Sequence, residues 1–237
     1  AHLTPPFSWY PETEFCYITD NKGNFLAAKG GYNDESHNHN DAGTFSFWID
    51  QTPFLIDAGV GTYTRQTFSK DRYTIWTMQS NYHNLPLING VPQKHGATYK
   101  ATQVQADKRK NTFTANIATA YPAEAEVESW IRSYSLQKGQ LRISDSFRLT
   151  TAKQPNQINF MTWGQVNTEI PGKIQLEVKG KKAFIEYDKQ LFDVKTETIP
   201  LTDPRLSNVW GKSIYRITLT ATNIYKTGNY SFIIKKQ

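Results

Sequence analysis

The chain has 237 residues, 38% hydrophobic and 14% aromatic, with 27 Lys/Arg against 21 Asp/Glu, two methionines and one cysteine. That length can bury a core as one large β domain or two smaller ones, and so many aromatics with so little methionine favour sheet packing over a helical bundle. The lone Cys16 excludes an internal disulfide, no apolar run is long enough for a membrane span, and the scattered lysines and arginines carry no nucleic-acid motif although the whole excess of +6 falls after residue 120.

Taken in order, Ala1 to Pro6 lacks a basic-then-apolar leader, so any export signal is expected on a preceding segment. Pro5 to Pro11 reads as an extended lead-in pinned by Phe7, Trp9 and Tyr10. Glu14 to Asp20 and Asn24 to Lys29 read as strands joined by Asn21-Lys22-Gly23, with glycine where a positive φ is needed. Thr44 to Ile49 alternates polar and apolar, a half-buried strand whose Trp48 would line the second face. Gly59 to Asn81 reads as a long excursion, of the kind that often carries function.

Beyond Gln93 the chain is a succession of short strands. Tyr99 to Ala106, Thr112 to Ala120, Glu126 to Leu136 and Leu141 to Leu149 come first, separated by turn chemistry. Ile158 to Trp163, Lys173 to Val178, Ala183 to Tyr187, Ser213 to Ala221 and Tyr230 to Ile234 follow, and Pro200 to Pro204 reads as a surface loop. No segment has a helical period beyond one or two turns, and no linker or internal repeat divides the chain. The expectation is an all-β fold, a large antiparallel β-sandwich of several sheets with little helix, occupying residues 1–237 as a single domain.

The scarce side-chain chemistry gathers between Asp34 and Gln93, where four of the five histidines fall: His37, His39, His83 and His95. The run Pro53-Phe54-Leu55-Ile56 leads into Asp57-Ala58-Gly59, so a carboxylate follows four residues that read as the inside of a sheet. His39, Asp57 and His83 supply the imidazole and carboxylate donors that zinc prefers. The same residues also suit a polar turn and a capping aspartate. Pairing Ile49 with Phe54 would set Asp57 opposite Ser46, seven residues and roughly 23 Å from His39 along a straight strand, so a joint site requires the chain to bend back at Ala42-Gly43.

Three blocks carry a resemblance: SHNHNDAGTFSFWI from Ser36, PFLIDAGVGTY from Pro53 and DRYTIWTMQSNYHNLPLINGVPQ from Asp71. Together they resemble the carboxy-terminal β-domain of the heparinase II/III-like polysaccharide lyases. The resemblance implies a divalent metal, most often zinc and mainly architectural, on His39, Asp57 and His83. It implies that His37 reaches the cleft as an acid/base or substrate-contacting group and that Tyr73 serves as a catalytic tyrosine. Arg72 is a candidate partner for the substrate carboxylate. In that family an amino-terminal helical toroid supplies much of the catalytic machinery, and this chain reads as the portion that follows it. The implied chemistry is β-elimination on a uronic-acid polysaccharide by an exported enzyme, the isolated portion being weakly active or inactive.

Two other readings stand beside this one. A carbohydrate-binding or structural β-module would keep the metal and bind through aromatic platforms such as Trp48 or Trp76. A metal-dependent hydrolase would use a zinc-bound water as nucleophile.

Overall fold

Apolar side chains at every second position drive most of the chain into strands with one face buried. The structure is a computed structural model and describes residues 6–33, 39–59 and 76–237. Among these residues nineteen strands form four sheets in which every pairing is antiparallel. The first sheet, in the order β1-β2-β3-β5-β6, comprises Phe7–Tyr10, Phe15–Thr19, Asn24–Lys29, Phe45–Ile49 and Thr52–Leu55. The second has eight strands in the order β14-β15-β16-β19-β12-β11-β10-β9. These are Gln165–Ile170, Lys173–Val178, Lys181–Glu186, Thr227–Lys236, Gln140–Leu149, Val127–Gln137, Thr112–Asn116 and Thr102–Asp107. The third runs β17 (Phe192–Pro200), β18 (Ser213–Ala221), β13 (Gln157–Thr162), β7 (Pro86–Leu87), and a short pair joins β4 (Tyr32–Asn33) to β8 (Gly96–Lys100).

The eight-stranded sheet forms one layer, and the first and third sheets lie against it. Phe45 of β5 meets Tyr134 of β11 at 4.9 Å between ring centroids, and Phe160 of β13 meets Phe232 of β19 at 5.4 Å. The first and third sheets join along a seam. Ile56 N–H donates to the Met161 carbonyl at 2.9 Å, Thr162 Oγ1 to the Phe54 carbonyl at 2.6 Å, and Trp163 Nε1 to the Pro53 carbonyl at 2.8 Å. One apolar cluster spans residues from Cys16 to Ile234, so both layers share a core. No helix among the described residues is long and apolar enough to cross a membrane.

Several sequence expectations need correction. The hairpin of β5 and β6 pairs Ile49 with Thr52, not with Phe54, because Asp50 and Gln51 form a two-residue turn with φ of 49° and 66°. The stretch from Tyr99 to Ala106 divides at Ala101, whose N–H donates to the Gly31 carbonyl, leaving β8 and β9 in different sheets. Thr112 to Ala120 ends as a strand at Asn116, which turns the chain by accepting from Ala118 N–H. Tyr10 forms part of β1 yet stays 53% exposed, so it does not pin the lead-in to the core, whereas Trp9 packs on Phe113. Strands β14 and β17 escape the alternation rule because they expose residues on both faces. The loop at Pro200 continues into a two-turn helix, α1 (Pro204–Trp210), capped by the Asp203 side chain on Arg205 N–H with Pro204 in the first turn.

Candidate metal centre

All three donors arise at the seam. His39 lies on the segment that enters β5, and the bend required at Ala42-Gly43 is present. Thr44 N–H donates to the Asp41 carbonyl at 3.0 Å, with Gly43 at φ +87° in the turn. A Cβ on Gly43 would lie 2.5 Å from Ile117 Cγ2, so both the torsion and the space demand glycine. Gln93 clamps the bend from both sides, accepting from Ala42 N–H at 3.0 Å and donating to the Ala42 carbonyl at 2.8 Å. Asn33 Nδ2 holds the Gln93 side chain in turn at 3.0 Å, and Lys29 Nζ stands 2.6 Å from Asp41 Oδ1.

Asp57 follows β6 where the chain leaves the first sheet. Ile56 and Ala58 on either side of it are buried, so the aspartate turns the other way and its side chain keeps 40% exposure. Its Oδ1 accepts from Gly59 N–H at 2.9 Å, and the Ala58 carbonyl takes the Trp210 indole N–H at 3.0 Å. His83 closes the single-turn 3₁₀ helix Ser80–Tyr82, its N–H returning to the Ser80 carbonyl. Nε2 of His83 lies 3.0 Å from the Thr77 carbonyl, which only accepts; Nε2 therefore carries a proton, which leaves Nδ1 as the ring nitrogen open to a metal.

The ligand atoms of His39, Asp57 and His83 lie within 4.8 Å of one another, and His83 Nδ1 is 3.9 Å from Asp57 Oδ1. The imidazole centroids are 5.1 Å apart. His39 Nε2 and His83 Nδ1 are both buried without a hydrogen-bond partner, a costly arrangement unless something else satisfies them. Burial first, and then the neighbouring His83, push the His39 pKa down to about 4, so the ring is neutral near pH 7. Burial pushes the Asp57 carboxyl up, but His83, His39, the Gly59 N–H and Lys29 together outweigh it and hold that carboxyl below its ordinary value. The neutral His39 ring, the partnerless His83 Nδ1 and one carboxylate are the donor set of a divalent zinc site.

On the outer face of the first sheet, a cavity of about 160 Å³ reaches Asp57, with Phe15, Tyr17, Lys29, Asp41 and Ser46 among its walls. The third-sheet strand β7 and the 3₁₀ turn before it bring His83 to the same end of the seam.

A family model described as heparinase II/III-like, C-terminal, matches residues 2–202. The chain belongs to the heparinase II/III-like C-terminal family. No curated protein matches it by sequence. Solved structures agree on the fold. A mutant of the heparan sulfate lyase HepC from Pedobacter heparinus aligns with 100% of this chain at TM-score 0.74 and 15% identity. A heparinase III gene product aligns with 100% at TM-score 0.75 and 13% identity. The chain spans just over a third of those two proteins, 37% of each.

Of the residues singled out in the sequence, His39, Asp57 and His83 come together, whereas His37, Arg72 and Tyr73 lie outside the described residues. His95 stands apart from the cluster, its Nδ1 2.9 Å from the Asn33 carbonyl. Sequence reasoning missed Asn33, Asn84 and Gln93, the buried amides that hold the ligand segments. Their one trace in the sequence is position, as amides near the histidines; the partners they reach lie far away in the chain and cannot be read from it.

Proposed function

We propose that this chain is the carboxy-terminal portion of a polysaccharide lyase that cleaves a uronic-acid polymer by β-elimination and holds one zinc on His39, Asp57 and His83. The observation that carries the reading is the pair of partnerless buried imidazole nitrogens facing a carboxylate, on segments that match the lyase-family domain. Held by His39, Asp57 and His83, zinc would neutralise the Asp57 carboxylate and tie the segment before β5, the turn after β6 and the turn before β7 to one point.

The reaction removes the proton at C5 of the uronate, α to its carboxylate, and the electron pair moves to form the C4–C5 double bond as the C4–O bond breaks. The departing glycosidic oxygen takes a proton. The barrier lies in building a second negative charge on the carboxylate group, so the site must neutralise that group and hold a base close to C5. His37, two residues before the ligand His39, takes the acid/base or substrate-contacting role; Tyr73 moves the other proton, and Arg72 pairs with the uronate carboxylate. A helical amino-terminal domain of the same polypeptide completes the cleft, acidic polysaccharide such as a glycosaminoglycan or alginate is the substrate, and the enzyme works outside the cytoplasm. The likeness of fold to a heparan sulfate lyase supports the substrate class.

Elemental analysis of the purified chain, with an anomalous difference map at the zinc edge, tests the metal. One equivalent between His39, Asp57 and His83 is the expected result, and a metal-free chain purified without chelators would sink it. For the reaction, the full-length enzyme should release products that absorb in the near ultraviolet. Reducing ends formed without that absorbance would mean hydrolysis.

A further inference from the structure

Beneath the cluster, the core contains a charged pair that packing alone does not call for. Arg132 on β11 and Asp145 directly opposite on β12 are both fully buried. Arg132 Nε meets Asp145 Oδ1 at 2.9 Å and Nη2 meets Oδ2 at 3.0 Å, while the Trp130 indole N–H donates to Oδ1 at 2.8 Å. Replacing such a pair with apolar side chains of similar volume commonly leaves stability unchanged or raises it, so the desolvation cost asks for another return.

The third contact of the guanidinium shows where that return lies. Nη1 donates to the Asn84 carbonyl at 2.6 Å, and Asn84 is the residue after His83. The Asn84 side chain reaches across the seam. Its Nδ2 donates to the Phe45 carbonyl at 2.8 Å and to the Ile56 carbonyl at 3.3 Å, and its Oδ1 accepts from Met161 N–H at 2.6 Å. Ile56 is the residue before Asp57. Asn84 therefore holds the neighbours of two metal donors. Tyr134, next on the same inward row of β11 as Arg132, donates its hydroxyl at 2.7 Å to the Gly43 carbonyl in the turn that follows His39.

We propose that Arg132 and Asp145, acting through Asn84, are positioning residues that set the spacing of His83 and Asp57 for a divalent metal, with Tyr134 setting the segment of His39. The inference rests on the metal reading above and adds to it a device in the opposite sheet. A guanidinium suits the task because its planar fork engages Asp145 bidentately and keeps a further N–H aimed at the Asn84 carbonyl. Lysine offers no such fixed fork.

The test is zinc affinity measured by competition with a chromophoric chelator, together with urea unfolding of the chelated chain. For Arg132→Met combined with Asp145→Leu, zinc affinity should fall about 10- to 100-fold, the range for lost outer-shell partners, while the metal-free unfolding midpoint stays at or above that of the wild type. Wild-type zinc affinity in the double variant overturns the proposal. Should that variant fail to fold, Arg132→Lys decides: a weaker site with an altered visible spectrum of bound Co²⁺ is expected, and an unchanged affinity and spectrum overturn it. A wild-type chain that takes up no zinc overturns the metal reading itself, a result distinct from both.

Discussion

Protons should destabilise the metal-free chain through His39 well above the pH at which carboxylates titrate. The folded ring has a pKa of about 4, against 6.5 in the ordinary state, because it is buried and faces His83. Between those values the unfolded chain binds a proton that the folded chain refuses, so stability falls as pH drops below about 6.5 and levels off below about 4. From pH 7.5 to pH 5 the linkage relation gives a loss of about 2 kcal/mol from this one residue. Asp57 acts in a different window: its carboxyl is held below the ordinary value, so its contribution is complete above that value and disappears only at more acid pH. The assay is urea unfolding of the chelated wild type and of His39→Gln at both pH values. The wild type should lose about 2 kcal/mol more than the variant over the interval. Equal losses would refute the reasoning and mean that the His39 ring is hydrated or paired in the folded protein.

Zinc at a hundredfold excess over its dissociation constant should raise the stability of the wild type by about 2.7 kcal/mol, and differential scanning calorimetry should show no such rise for Asp57→Asn or His83→Ala. Gly43→Ala should cost about 2 kcal/mol or more in chemical denaturation, since it combines a positive φ with a contact at 2.5 Å, and should weaken zinc binding in parallel; tight binding in a destabilised variant would separate the turn from the site. His37→Ala should retain one zinc by elemental analysis while abolishing turnover in the full-length enzyme, and loss of zinc would exchange the assigned roles of His37 and His39.

Much of the layer structure could be read from alternation. Lys173–Val178 matches its expected bounds because it buries every second residue, and Ser213–Ala221 matches although its alternation breaks once, at Tyr215 and Arg216. Strands β14 and β17 were invisible for the opposite reason, being held by backbone pairing to β15 and β18 rather than by an apolar face. The β5–β6 register was missed because Asp50-Gln51 adopts positive φ without a glycine to announce it. At the site, residue types together with the family resemblance pointed to His39, Asp57 and His83, which the structure brings together, and Ala42-Gly43 marked the bend. What supports them was hidden, since hydrogen bonds from Asn84 to Phe45, Ile56 and Met161 join residues far apart in sequence. Arg132 left one trace. It occupies an inward position between Trp130 and Tyr134, where a charge is out of place unless it has a partner.

The seam between the first and third sheets also bears on how the chain folds. Donors at positions 39, 57 and 83 are braced by groups at 132, 134 and 161, so the centre depends on segments distributed over more than half of the polypeptide. Loop closure over such distances becomes favourable only when the intervening strands have docked. Metal capture at this cluster should therefore be a late event that reports a completed assembly, and short peptides bearing the three donors would make poor ligands. Zinc binding followed in time during refolding would give a clock for the final step.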